Sequence, residues 1–293
     1  MRRALTRVLL VATAAANAVA MPLQQAPAFE AASVKRNRSG EQRSSFNTPA
    51  NRFVATNVTL HELIAWAYGE AGPPPELRQE FQMSGGPAWS TADRFDVEAT
   101  TGNEIPDGVE RTRLKMRLLQ ALLAERFKLS AHHETRQGPI YSLVLASRDG
   151  RLGPQLRRAS VDCNAMTARG RANTAAPPPP PPGQVPACGI RIGLGSLRIG
   201  SQSLSAIARL LSRATQRPVI DRTMLDGAFD LSLDFDPSGL PGFDRPPGAP
   251  PLEIGDRPSM YTALQEQAGL KLEAGRGPID ILVIDAAEHP ADN

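Results

Sequence analysis

The sequence predicts an α+β protein built from two related β-α-β-β-α-β-β halves, with helices packed on small, mostly antiparallel sheets. Three observations lead there. Short runs of alternating apolar and polar residues mark half-buried strands, as in Phe229, Leu231, Leu233 and Phe235 against Asp230, Ser232 and Asp234. Runs of helical period follow capping residues. The same order of elements also occurs twice, which is the mark of an internal repeat.

The first half, 27–156, opens with a strand at 52–55. Thr59 and Glu62, three residues apart, form a capping box ahead of Leu60, Leu63, Ile64 and Ala67 at helical spacing. Strands follow at 81–84 and 95–99, separated by Gly85-Gly86-Pro87. A helix over 113–126 runs into Phe127-Lys128-Leu129, and a turn at 136–139 leads to a strand at 140–146. The second half, 196–290, has a strand at 196–199 and then Ser203 ahead of Leu204, Ile207 and Leu211 on one helical face. Strands at 218–220 and 229–235 flank Asp226-Gly227. A helix over 260–268 runs into Leu270-Lys271-Leu272, and a turn at 276–278 leads to a strand at 279–284. Between the halves, 157–195 reads as a Pro/Ala-rich linker. A Pro/Gly-rich loop, 237–258, interrupts the second half; a long surface loop is tolerated because extra length adds little closure entropy.

The N-terminus reads as an export signal. Arg2, Arg3 and Arg7 precede an apolar run at 8–16 and small residues at Ala18 and Ala20, which places a signal peptide at 1–20. The run is too short to serve as a membrane anchor, which needs ~20 residues. No Cys follows it, which argues against a lipoprotein. Of 33 basic residues the signal removes three, leaving 30 against 30 acidic residues. The mature chain is therefore near neutral, and no basic stripe interleaved with aromatics marks a nucleic-acid surface. No later segment has the length and apolarity of a membrane span. In an exported chain Cys163 and Cys188 can pair, closing a loop worth ~3 kcal/mol in the chain-entropy model. Their spacing is not that of a redox pair.

Chemistry-bearing motifs are incomplete. His61-Glu62 begins like a helical zinc motif but has Ala65 at the second ligand position. His132 and His133 are adjacent on a strand and point to opposite faces. Asp234, Asp236, Ser238 and Gly239 resemble the start of a calcium loop, whose twelfth position is Arg245 where a bidentate Glu is needed. No Gly-x-Ser-x-Gly elbow occurs, and Gly193, Gly195 and Gly200 lack the spacing and Lys of a phosphate loop. No catalytic residue, metal or cofactor is expected. Trp66, Tyr68 and Trp89 are the candidate binding residues, as aromatics with polar handles; core packing is the competing reading of each.

Several strings carry a family resemblance. They include Phe29-Glu30-Ala31-Ala32-Ser33-Val34-Lys35, Gly85-Gly86-Pro87-Ala88-Trp89, Arg94-Phe95-Asp96-Val97, Arg217-Pro218-Val219-Ile220-Asp221 and the run at 263–272. The chain resembles an uncharacterised exported family, a domain of unknown function, expanded in acidobacteria of the Solibacter type. That resemblance brings no activity and no site residue with it. In element order the chain is also similar to the short N-terminal modules of secretins and TonB-dependent receptors, which bind partner proteins or peptides.

Together these readings predict a periplasmic or secreted, non-catalytic binding module. Its expected partner is an envelope or extracellular protein or peptide, taken by strand addition at an exposed sheet edge. The alternatives are a hydrolase acting on envelope or extracellular polymers and the sensory part of a signalling system.

Overall fold

The computed structural model describes residues 27–41, 43–71, 76–106, 108–163, 181, 183–241 and 255–291. The expected signal peptide, most of the Pro-rich part of 157–195 and most of the 237–258 loop lie outside them.

The first half contains β1 (Ala31–Arg36), β2 (Ser45–Asn47), β3 (Arg52–Thr59), α1 (Leu60–Ala67), β4 (Met83–Gly85), β5 (Arg94–Thr100), α2 (Val109–Arg126) and β6 (Ser130–Leu145). The second contains β7 (Leu156–Arg158), β8 (Gly189–Gly193), β9 (Ser196–Gln202), α3 (Leu204–Thr215), β10 (Val219–Asp221) and β11 (Phe229–Asp234). It closes with α4 (Met260–Ala263), which continues as a π turn over Leu264–Ala268, and β12 (Leu270–Ala286). Both expected caps form. Thr59 accepts from the Glu62 amide while the Glu62 carboxylate accepts from the Thr59 amide, and Ser203 accepts from the Ala206 amide.

The molecule is α+β. Two antiparallel sheets have the orders β1-β5-β3-β2 and β7-β11-β9-β8, so corresponding strands occupy corresponding places. The third sheet, β10-β6-β12-β4, joins the halves: β6 and β12 pair antiparallel along their length, with β10 parallel to β6 and β4 parallel to β12. Each half thus lends a short strand to the other half's long one.

The turns expected at 136–139 and 276–278 are absent, and β6 and β12 run straight through them. The Gly-Pro pairs sit where the two strands cross, with Gly138 opposite Gly277, Pro139 opposite Arg276 and Pro278 opposite Gln137. Tyr141 donates its amide to Pro218, on the side away from β12. Pro139 lies two residues earlier and therefore occupies a position whose amide would also point off the β6–β12 ribbon. The missing donor costs no ladder bond there. The strand expected at 81–84 starts instead as a 3-10 turn over Glu80–Gln82. Strands β1, β2, β7 and β8 carry too little alternation to be read from sequence, and β8 lies inside the segment expected to be linker.

Two cores result. The first gathers Phe53, Leu63, Ile64, Phe95, Leu119, Leu123 and Phe127, and is completed by Leu282 and Ile284 from β12. The second gathers Ile199, Ile207, Leu211, Phe229, Leu231, Leu233 and Leu264, and takes Leu143 from β6.

Candidate functional site

The three aromatics named as binding candidates do not share a surface. Trp66 is 3% exposed in the first core, its ring 4.8 Å from Phe53 in an edge-on contact. Helical spacing with Leu63 puts it on the buried face of α1. Tyr68 follows that helix and lines a cleft between the halves; burial raises its phenol pKa. Trp89 packs edge-on against Phe95 and stacks on His289 at 4.0 Å.

The cleft, about 260 Å³, is built on an ion-pair strut. Arg78 donates to the carbonyls of Tyr68 and Asp280, at 3.1 and 3.2 Å, and to the Asp280 carboxylate at 2.7 Å. His133 Nδ1 lies 3.0 Å from the same carboxylate. Burial pushes the Asp280 pKa up, but the hydrogen bonds from Arg78 and His133 outweigh it and leave the group below its ordinary value. Glu76 and Arg209 pair across the two halves at 3.0 Å. Ser212, which lines this cleft with Tyr68, donates to the Ala208 carbonyl and accepts from the Val219 amide. It ties α3 to β10, and with the Glu76–Arg209 pair it makes the cleft a joint between halves. All four histidines have a carboxylate neighbour: His61 with Glu80, His132 with Asp285, His133 with Asp280 and His289 with Asp93. Among the described residues, no three metal-ligating side chains cluster.

The surface with the chemistry of recognition lies at β8. This strand is an edge of its sheet, paired only with β9, from Gly189 opposite Gly200 to Gly193 opposite Ser196. Among the described residues no further backbone bond reaches its Ile190 or Ile192 from outside. Ile190 and Ile192 sit opposite Ile199 and Leu197 and so share the core-facing side of the sheet. They lie beyond the cover of α3 and are 42% and 71% exposed; Leu194 in the following turn is 59% exposed. An apolar groove of about 380 Å³ opens beside them. Its walls include Ile192 and Leu194 from the hairpin, Leu210 and Ala214 from α3, and Phe235 and Leu240 after β11. The hairpin turn is held in place, since the Gly195 carbonyl accepts from the Phe235 amide at 3.0 Å and from Arg257 at 3.2 Å. The disulfide Cys163–Cys188, with Cα atoms 5.8 Å apart, anchors the chain immediately before β8.

The other edges are treated differently. Strand β7 ends in Arg157-Arg158 and β1 in Lys35-Arg36, charges of the kind that blunt an edge against pairing. Strand β2, which holds the place of β8 in the first half, is three residues long, and its Phe46 turns inward to within 6.2 Å of Phe53. There Lys115 from α2 caps the following turn, donating to the carbonyls of Thr48, Pro49 and Arg52. In the second half the matching helix starts only at Met260, which lines the groove. Sequence reading missed β8 because Gly189-Ile190-Arg191-Ile192-Gly193 is short, glycine-bounded and set in a Pro/Ala-rich stretch. Its Ile-Arg-Ile alternation was the available signal.

No helix among the described residues is long and apolar enough to cross a membrane. No curated protein and no solved structure matches the chain. One family model, described as a protein of unknown function (DUF3738), matches residues 31–287. That span takes in every strand and helix described above, and the chain therefore belongs to the DUF3738 family.

Proposed function

We propose that this chain is an exported, non-catalytic binding module that takes up an extended segment of a periplasmic or extracellular protein along the open edge of β8. The observation that carries the reading is the exposure of Ile190, Ile192 and Leu194 on an edge that no second described strand pairs, beside an apolar groove. A bare aliphatic edge is an invitation to pair, and proteins ordinarily guard against it. Main-chain bonds to the edge supply affinity, and alternate side chains entering the groove supply selectivity. The contrast with β2 supports the same reading. The matching strand orders favour an internal duplication, and against that shared background only the second unit leaves its edge open. The disulfide and the Arg-rich, apolar N-terminus favour action outside the cytoplasm.

The test is selection of binders from a random linear-peptide library, followed by hydrogen exchange on the complex. Selected peptides should slow exchange at the β8 amides, and Ile192→Lys should abolish binding while leaving the far-UV spectrum unchanged. Peptides that protect a different strand, or that ignore Ile192→Lys, would remove the basis for this function.

A further inference from the structure

The described walls of the groove beside β8 carry one sign of charge. Among the described residues Arg213 is the one ionisable side chain that lines it. Arg213 is exposed, three positions beyond Leu210 on α3, and borders both this groove and the cleft between the halves, so its side chain can reach the rim of the aliphatic wall.

Building on the β8 reading, we propose that the partner segment is an aliphatic strand carrying an Asp or Glu side chain that meets Arg213. Such a segment answers each feature in turn. Its backbone satisfies the open edge of β8. Its alternate aliphatic side chains cover the exposed Ile192 and Leu194 and enter the groove. Its carboxylate pairs with the rim guanidinium. A rim pair of this kind adds modest affinity, but it rejects basic segments through like-charge repulsion and so sets selectivity.

Two competing occupants answer less of the surface. A second copy pairing through its own β8 would bring Gly189–Gly193, which holds no carboxylate, and would leave Arg213 unanswered. An acyl chain would fill the groove but leave the strand edge unmatched.

The experiment uses the full mature chain and peptides from the library selection, synthesised with amidated ends so that any carboxylate is a side chain's. The consensus should alternate aliphatic residues and include an acidic one. Arg213→Gln should weaken binding about threefold to fivefold, the range of an exposed ion pair. Reselection against Arg213→Glu should replace the acidic residue with Lys or Arg. If Ile192→Lys abolishes binding but Arg213→Glu still selects acidic peptides, the charge assignment fails and the β8 reading stands. If neither substitution matters, both fail. Three other outcomes also overturn the proposal: a β8-mediated dimer, peptide binding that appears only once residues 242–254 are deleted, and a fatty acid retained in the groove.

Discussion

Asp96 and Asp230 show how single side chains hold this backbone in place. Asn57 and Ser201 both have positive φ, at 57° and 51°, a region that costs an L-residue energy unless its surroundings hold it there. In both cases the amide is captured by an aspartate on the neighbouring strand, Asp96 at 2.9 Å and Asp230 at 2.8 Å. Each aspartate follows a buried Phe, Phe95 or Phe229, that fixes its strand in the core. A third carboxylate, Asp280, makes the fold sensitive to acid. Its folded-state pKa lies below its ordinary value, so its contribution is complete above the unfolded value near ~4 and is lost as pH falls through the folded value. The urea midpoint of the wild type should therefore fall on acidification below about pH 4, and Asp280→Asn should be weaker at neutral pH with a flatter acid limb. An unchanged acid limb in that variant would assign the sensitivity to other carboxylates such as Asp93, which His289 and Arg36 also hold low.

At the scale of the element, the crossing of β6 and β12 turns on two glycines. A Cβ on Gly138 would lie 2.5 Å from Cδ1 of Ile279, and one on Gly277 would lie 2.5 Å from Cδ1 of Ile140. Strand propensity alone favours alanine at both positions. Ile279 is only half-buried and can swing aside, whereas Ile140 is buried and cannot. Gly277→Ala should therefore destabilise by about 1–3 kcal/mol, as overpacking does, and Gly138→Ala by clearly less. Chemical denaturation of the two variants measures the difference, and equal effects would mean that the crossing has slack on both sides. The same crossing marks the limit of what the sequence made legible. Helices, caps and the strands with strong alternation are local features, and α1, α3, β5, β9 and β11 lie where periodicity and capping residues put them. The strings Arg136-Gln137-Gly138-Pro139 and Arg276-Gly277-Pro278 are locally turn-like, and only the arrival of a partner strand from the other half keeps them extended. The candidate site was hidden for a related reason: the exposure of Ile190 and Ile192 depends on how far α3 reaches across the sheet, which no local pattern encodes.

For the whole molecule, the disulfide and the exchanged strands constrain different things. The Cys163–Cys188 bridge closes a loop with a sequence separation of 25 outside both cores. Reduction should cost about 3 kcal/mol in the chain-entropy model without dispersing either core. Thermal unfolding with and without reductant should show the loss, and exchange at the β8 amides should quicken because Cys188 no longer holds the chain entering that strand. An unshifted melting temperature would show that the bridge closes a loop already held by other contacts.

The exchange of strands has its own consequence for biosynthesis. Leu282 and Ile284, near the end of the chain, complete the core of the half that is made first. While the ribosome is still reading the last few dozen codons, the nascent N-terminal half therefore presents an unfilled apolar slot and a β4 with nothing to pair with. Tight folding of the first half must wait for β12, a delay that would suit the export proposed above.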